Sequence, residues 1–267
     1  MASMKSTFLL ALIFLLLQTE FISLEAIWSN SSAGNSTVGC IDMEREALLK
    51  FKEGLYDRLR TLSSWVGEDC CNWLGVGCSN RTGNIIKLDL NGQLLCDQMS
   101  GNTSTECWYP LGGVLSPSLL ELKYLNYLDL SHNLFQDIPI PNFIGSLNKL
   151  TYLNLSHSWF GGTIPPQIGN LSNLLYVDLS YAWFNGTIPP QIGNLSNLLY
   201  LDLSANCPPV LTSNLNWLCG LSSLKYLSLN GENLSEATTN WLQTVNRPPS
   251  LLELQLSFCQ LMACLEV

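Results

Sequence analysis

The chain repeats itself, and the repeat restricts its fold more than any other feature. Nine-residue blocks beginning at Leu125, Leu150, Leu174, Leu198, Leu224 and Leu251 read LNYLDLSHN, LTYLNLSHS, LLYVDLSYA, LLYLDLSAN, LKYLSLNGE and LLELQLSFC, and an earlier copy, IIKLDLNGQ, begins at Ile85. From Leu122 onward the interval is 24 to 27 residues, and GTIPPQIGNLSNLLY recurs unchanged at Gly162–Tyr176 and Gly186–Tyr200. A period of this length describes units that cannot bury an apolar face alone and must stack. Alternation within each block predicts a short strand, with Leu128 and Leu130 pointing into the coil and Tyr127 and Asp129 away from it. Strands about 5 Å apart then form a parallel sheet over a continuous leucine core. The ninth residue, Asn133 or Asn206, is placed to bond loop backbone, and Ser158, Ala182, Glu232 and Cys259 replace it elsewhere. Ile164–Pro165 and Ile188–Pro189 suit an extended far side, because proline disfavours helix in the residue before it. The expectation is a curved solenoid.

A solenoid needs its first coil covered, and residues 40–84 read as that cap. Asp42 is placed to cap a helix bearing Ala47, Leu48, Phe51 and Leu55 on one face, with Glu44 and Glu46 in its first turn. LSSW at Leu62–Trp65 and the cluster CCNWLGVGC at Cys70–Cys78 follow. A zinc site is the rival reading of Cys70, Cys71 and Cys78, and a secretory context argues against it. This cap, together with the NLSNLxYLDLS and GxIPPxIGNL phrasing of the repeats, resembles the plant extracellular leucine-rich-repeat proteins over residues 40–261. The resemblance implies an α/β solenoid: a right-handed leucine-rich-repeat superhelix with a parallel concave sheet and a helical N-terminal cap stapled by disulfides Cys40–Cys70 and Cys71–Cys78. Within the family the chain looks most like the receptor-like proteins, on the insertion at 91–113 and the segment from Cys207 to Leu224. About seven repeats are expected over 85–261, the last incomplete, followed by an atypical tail at 262–267.

The compartment is legible by three routes. Lys5 and the apolar run Phe8–Leu17 read as a secretory signal peptide over 1–26, ahead of a flexible stretch at 27–39, and no second run is long enough to span a bilayer. Ten cysteines suit an oxidising compartment; Cys96–Cys107 and Cys207–Cys219 are expected as local disulfides, and Cys259 as a buried thiol beside an unpaired Cys264. Sequons at Asn30, Asn35, Asn80, Asn102, Asn170, Asn185, Asn194 and Asn233 are expected to carry glycans, whereas that at Asn154 falls inside a strand. Twelve Lys and Arg against 21 Asp and Glu disfavour nucleic acid as a partner.

The outward strand positions supply the candidate binding residues. Tyr127, Tyr152, Tyr176, Tyr200 and Tyr226 share a column, beside Asp129, Asn154, Asp178 and Asp202, with Tyr181 just beyond. Such a ladder suits a protein, peptide or glycan ligand, since aromatic rings supply contact area at low entropic cost. The blander reading is that stacked tyrosines merely stabilise the strands. Trp159 and Trp183 occupy equal places in adjacent repeats and are expected as a second exposed pair. His132 and His157 share another column, but an open sheet without an oxyanion loop gives them no hydrolytic role. No cofactor or catalytic motif is found. The expectation is a non-enzymatic recognition protein of the secretory pathway, destined for the apoplast or the outer face of the plasma membrane. It would be the N-terminal part of a plant receptor-like protein, working with a co-receptor kinase in defence or development. The alternatives are a soluble binder resembling the polygalacturonase-inhibiting proteins, and a truncated product without activity of its own.

Overall fold

The structure, a computed structural model, describes residues 39–99, 109–211, 214–235 and 241–259. The signal peptide, Asn30, Asn35, Asn102, Cys107 and the tail lie outside them.

Each repeat block forms a three-residue strand and a turn. Strands β5 (Tyr127–Asp129), β6 (Tyr152–Asn154), β8 (Tyr176–Asp178), β10 (Tyr200–Asp202), β11 (Tyr226–Ser228) and β12 (Glu253–Gln255) pair in parallel with β3 (Ile85–Asp89) at the head of the series. The register is strict: Tyr127 faces Tyr152, Tyr152 faces Tyr176, and Tyr200 faces both Tyr176 and Tyr226. Opposite this sheet each coil returns through an extended Pro165 or Pro189 into a short 3-10 turn, Pro166–Asn170 or Pro190–Asn194. Those turns pack so closely that a Cβ on Gly145 or Gly169 would collide with the carbonyl of Gln167 or Gln191 one coil on. Between the two sides Leu128, Leu130, Leu153, Leu155, Leu179 and Leu203 are fully buried in one core.

Inward polar groups replace the hydrogen bonds that tight turns would otherwise leave unmade. Asn133 Nδ2 donates to the carbonyls of Leu90, Leu130 and Ser131, and its Oδ1 accepts from Leu111 N. Ser158 Oγ donates to Leu130 O at 2.6 Å, and the Cys259 thiol, buried and free, donates to Leu229 O at 2.8 Å. Glu232 accepts from Asn206 N and from Val210 N across a coil.

The cap is organised by α1 (Asp42–Glu53). Ile41 holds the N-cap position without a side-chain bond, so Asp42 is the first helical residue instead of the cap and pairs with Arg45 at 3.5 Å. The buried face is Glu44, Ala47, Leu48 and Phe51; Leu55 leaves the helix for β1 (Leu55–Asp57), which pairs antiparallel with β4 (Leu111–Gly113). Strand β2 (Val76–Cys78) runs antiparallel to β3 and covers the first edge of the main sheet. Disulfides join Cys40 to Cys70 and Cys71 to Cys78, so none of the four is a free thiolate for zinc. Trp65 stacks on Trp73 at 5.5 Å, each indole N–H donating to a backbone carbonyl of the cap.

Within the 91–113 insertion, α2 (Gly92–Met99) places Cys96, which is disulfide-bonded. The expected pair Cys207–Cys219 is not formed; both are free and exposed. Cys207 lies beyond the turn that follows β10, its N–H bonded to Ala182 O. Cys219 sits in the 3-10 turn Asn216–Gly220 on the far side of the coil, where its sulfur accepts from Arg247.

Candidate recognition surface

Parallel register at every strand turns the outward tyrosines into one stack. Ring centroids of Tyr127, Tyr152, Tyr176, Tyr200 and Tyr226 follow one another at 4.1, 4.4, 4.4 and 4.3 Å, with nearly parallel planes. Lys87 closes the upper end, 4.6 Å above the Tyr127 ring and 3.0 Å from Asp89. The rings are half-buried by their neighbours, and burial holds their hydroxyls protonated far above the usual range; Tyr226, at the open end, is pushed up only to about 12.

The adjoining polar column is committed elsewhere. Asp129 Oδ1 accepts from the backbone N–H and the hydroxyl of Ser131, at 2.9 and 2.5 Å. Asn154 and Asp178 make the same pair of bonds to Ser156 and Ser180. Asp129, Asn154 and Asp178 are therefore buried, and Asp202 is partly so. Burial, only partly offset by those bonds, pushes Asp129 and Asp178 up to about 6. The column presents tyrosine rings over a layer of tethered carboxylates.

Sequence reasoning missed what happens at the eighth repeat position. His132, His157, Tyr181, Ala205, Gly231 and Phe258 all have left-handed φ, between 51° and 81°. The hint was Gly231, since glycine is the residue that takes this conformation without steric cost. The conformation swings the side chain to the edge of the concave face, where His157 stacks between His132 at 4.6 Å and Tyr181 at 4.2 Å. Burial lowers the pKa of both imidazoles, which disfavours their charged forms. Two positions further on, Trp159 and Trp183 form a second edge series, with Tyr109 against Trp159. Tyr181 is 55% exposed and Trp183 44%, against half-buried rings in the concave column. Of the described sequons, Asn80, Asn170, Asn185 and Asn194 are exposed, Asn233 is partly so, and Asn154 is buried within β6.

A stapled cap and strictly registered coils define a capped leucine-rich-repeat solenoid. Residues 41–79 match the leucine rich repeat N-terminal domain, and 124–147 and 149–171 match the leucine rich repeat. The receptor-like protein EIX1 of Solanum lycopersicum is 42% identical over 259 residues, 95% of this chain, and EIX2 of the same species is 49% identical over 162 residues, 60% of it. These alignments cover 21% and 15% of the two relatives, so the chain spans about a fifth of the length of the first. One chain of the BIR3–SERK2 complex from Arabidopsis thaliana superposes with a TM-score of 0.52 at 26% identity, over 80% of this chain and 97% of its own length. The plant peptide hormone receptor RGFR1, solved with RGF2, gives 0.52 at 26% identity, over 72% of this chain and 26% of its own. The chain thus carries a leucine-rich-repeat cap and leucine-rich repeats, and it is homologous to the plant receptor-like proteins. Among the described residues no helix is long and apolar enough to cross a membrane.

Proposed function

We propose that this chain is the N-terminal recognition segment of an extracellular plant receptor-like protein. It binds a protein or peptide ligand across the concave tyrosine face and serves defence or developmental signalling alongside a co-receptor kinase. The observation that carries the reading is the unbroken five-ring column, which offers a long, rigid, amphipathic strip with little side-chain entropy left to lose. The tethered aspartates set an acidic floor beneath it, which favours ligands with basic or hydroxyl-bearing side chains. Support for the partner class comes from two solved structures, one a chain of the BIR3–SERK2 complex and one a peptide hormone receptor solved with RGF2. The work done is binding and partner assembly, without catalysis.

The test is binding by the secreted chain to co-receptor ectodomains and to peptides from apoplastic fluid, in wild type and in Tyr152→Lys and Tyr200→Lys. Both substitutions are expected to abolish binding while the circular dichroism spectrum and cap disulfides persist. Undiminished binding by folded variants would refute the concave face as the recognition surface.

A further inference from the structure

The edge series of rings stops abruptly. Tyr109 meets Trp159 edge-on at 6.0 Å and Trp159 meets Trp183 at 5.1 Å. The equivalent position in the next coil is Cys207, followed by Pro208 and Pro209, so no ring continues the series past Trp183. Its indole is left 44% exposed.

The same strand offers something to cover it. In β9 (Trp183–Asn185) the middle residue, Phe184, is buried, and Trp183 and Asn185 are both exposed. Alternate residues of a strand share a face, so the indole and the Asn185 amide point the same way. Asn185-Gly186-Thr187 is an N-glycosylation sequon. Thr187 is exposed too, and Gly186, at φ +76°, turns the chain directly after the acceptor.

The neighbouring coil supplies a natural comparison. It reads WFGGTIPP from Trp159, where this one reads WFNGTIPP from Trp183. The single difference puts Gly161 at the position that Asn185 holds here; where β7 (Gly161–Thr163) pairs with β9, Gly161 faces Trp183 and Thr163 faces Asn185, and a side chain at 161 would run into Asp137. The coil that carries the sequon is therefore the coil whose indole has no onward neighbour. Other described sequons lack such a ring two residues earlier: Ile168 and Ile192 are buried ahead of Asn170 and Asn194, Cys78 precedes Asn80, and Gly231 precedes Asn233. Asn154 does follow a ring, Tyr152, but its amide is buried and bonded to Asp129 and Ser156.

We propose that Asn185 carries an N-linked glycan whose first N-acetylglucosamine folds back on the open face of Trp183. A pyranose presents a face of C–H groups, and the electron-rich face of an indole attracts them while both shed water. The glycan thereby caps the edge series as a further ring would, and shields an exposed apolar patch. The proposal rests on the reading that the chain is exported, because the oligosaccharide is added on that route.

The test compares secreted wild type with Asn185→Gln, Trp183→Ala and the double variant. Glycopeptide mass spectrometry reads occupancy, and hydroxyl-radical footprinting reads Trp183, with exposed Tyr56 of the cap as control. Wild type is expected to be occupied at Asn185 and to oxidise Trp183 severalfold more slowly than Asn185→Gln, with Tyr56 unchanged. Loss of the glycan should lower Tm by about 2 °C when Trp183 is present and leave it unchanged in Trp183→Ala. Occupied Asn170 and Asn194 with a bare Asn185, or an occupied Asn185 that leaves Trp183 oxidation unaltered, would overturn this proposal alone. A secreted-route chain bare at every sequon would overturn it together with the reading of export.

Discussion

The tyrosine column of the concave face and the ring series along its edge climb the same coils, and they differ in what closes them. Each central tyrosine has a ring above and below, and Lys87 sits over the first. The edge series draws on positions that vary between repeats, so it runs His132, His157, Tyr181 and then meets Ala205. A repeat position that stays tyrosine through five successive coils, from Tyr127 to Tyr226, builds its own neighbours and is stabilised by them. One that changes leaves an unfinished end, exposed at Tyr181 and Trp183. The concave column thus offers a stiff platform and the edge offers the chain's individuality.

The contrast can be broken at four places. Phe160 lies beneath the edge, fully buried and stacked on Phe135 at 4.2 Å. Phe160→Ala should cost about 3–5 kcal/mol in denaturant unfolding, because the coil cannot close over the lost ring. Tyr176→Ala removes a ring held on both sides, and about 2 kcal/mol should be lost from contact and partial burial; a neutral result would mean the column is ornamental.

A third effect is smaller and depends on pH. Asp129 and Asp178 rise from 3.8 to about 6 in the fold and Glu232 from 4.5 to about 7, each mainly through burial. The native state then holds more protons than the unfolded chain, so stability is greatest below the unfolded values and falls as pH rises through about 6 to 7. The depressed imidazoles of His132 and His157 work in the opposite sense. Tm should be higher at pH 5 than at pH 7.5, and Asp178→Asn should flatten the slope; a Tm that climbs with pH would contradict the buried carboxylates. Smallest of all, Tyr181→Ala should shift stability by no more than about 0.5 kcal/mol, since its ring has one neighbour and open water beyond. A loss matching that of Tyr176→Ala would erase the distinction between the two columns.

The repeat period made the sheet, the leucine core and the tyrosine column legible before any coordinates, because stacking copies whatever stands at each position. What it concealed depends on contacts between distant residues or on backbone conformation. Glu44 sits on the buried side of its helix because its carboxylate accepts from Ile85 N at 2.7 Å, 41 residues along the chain, a partner that helical spacing does not reveal. Outward-pointing Asp129 is nonetheless buried, since its own Ser131 folds back on it. The left-handed eighth position, which gathers His132, His157 and Tyr181, was signalled only by Gly231. Cys207 and Cys219 are near in sequence yet unbonded, one tied through its N–H to Ala182 of the preceding coil and the other through its sulfur to Arg247, partners that residue counting hides.

The most direct test of the recognition surface is site-specific photo-cross-linking of the secreted chain in apoplastic fluid. A benzophenone amino acid would replace Tyr152 or Tyr200 on the concave face, or exposed Ser146 or Gln191 in the 3-10 turns of the convex side. Cross-links to a common peptide or protein partner from the concave positions, and none from the convex ones, are the predicted result. The same partner captured with equal yield from the convex positions would contradict the assignment.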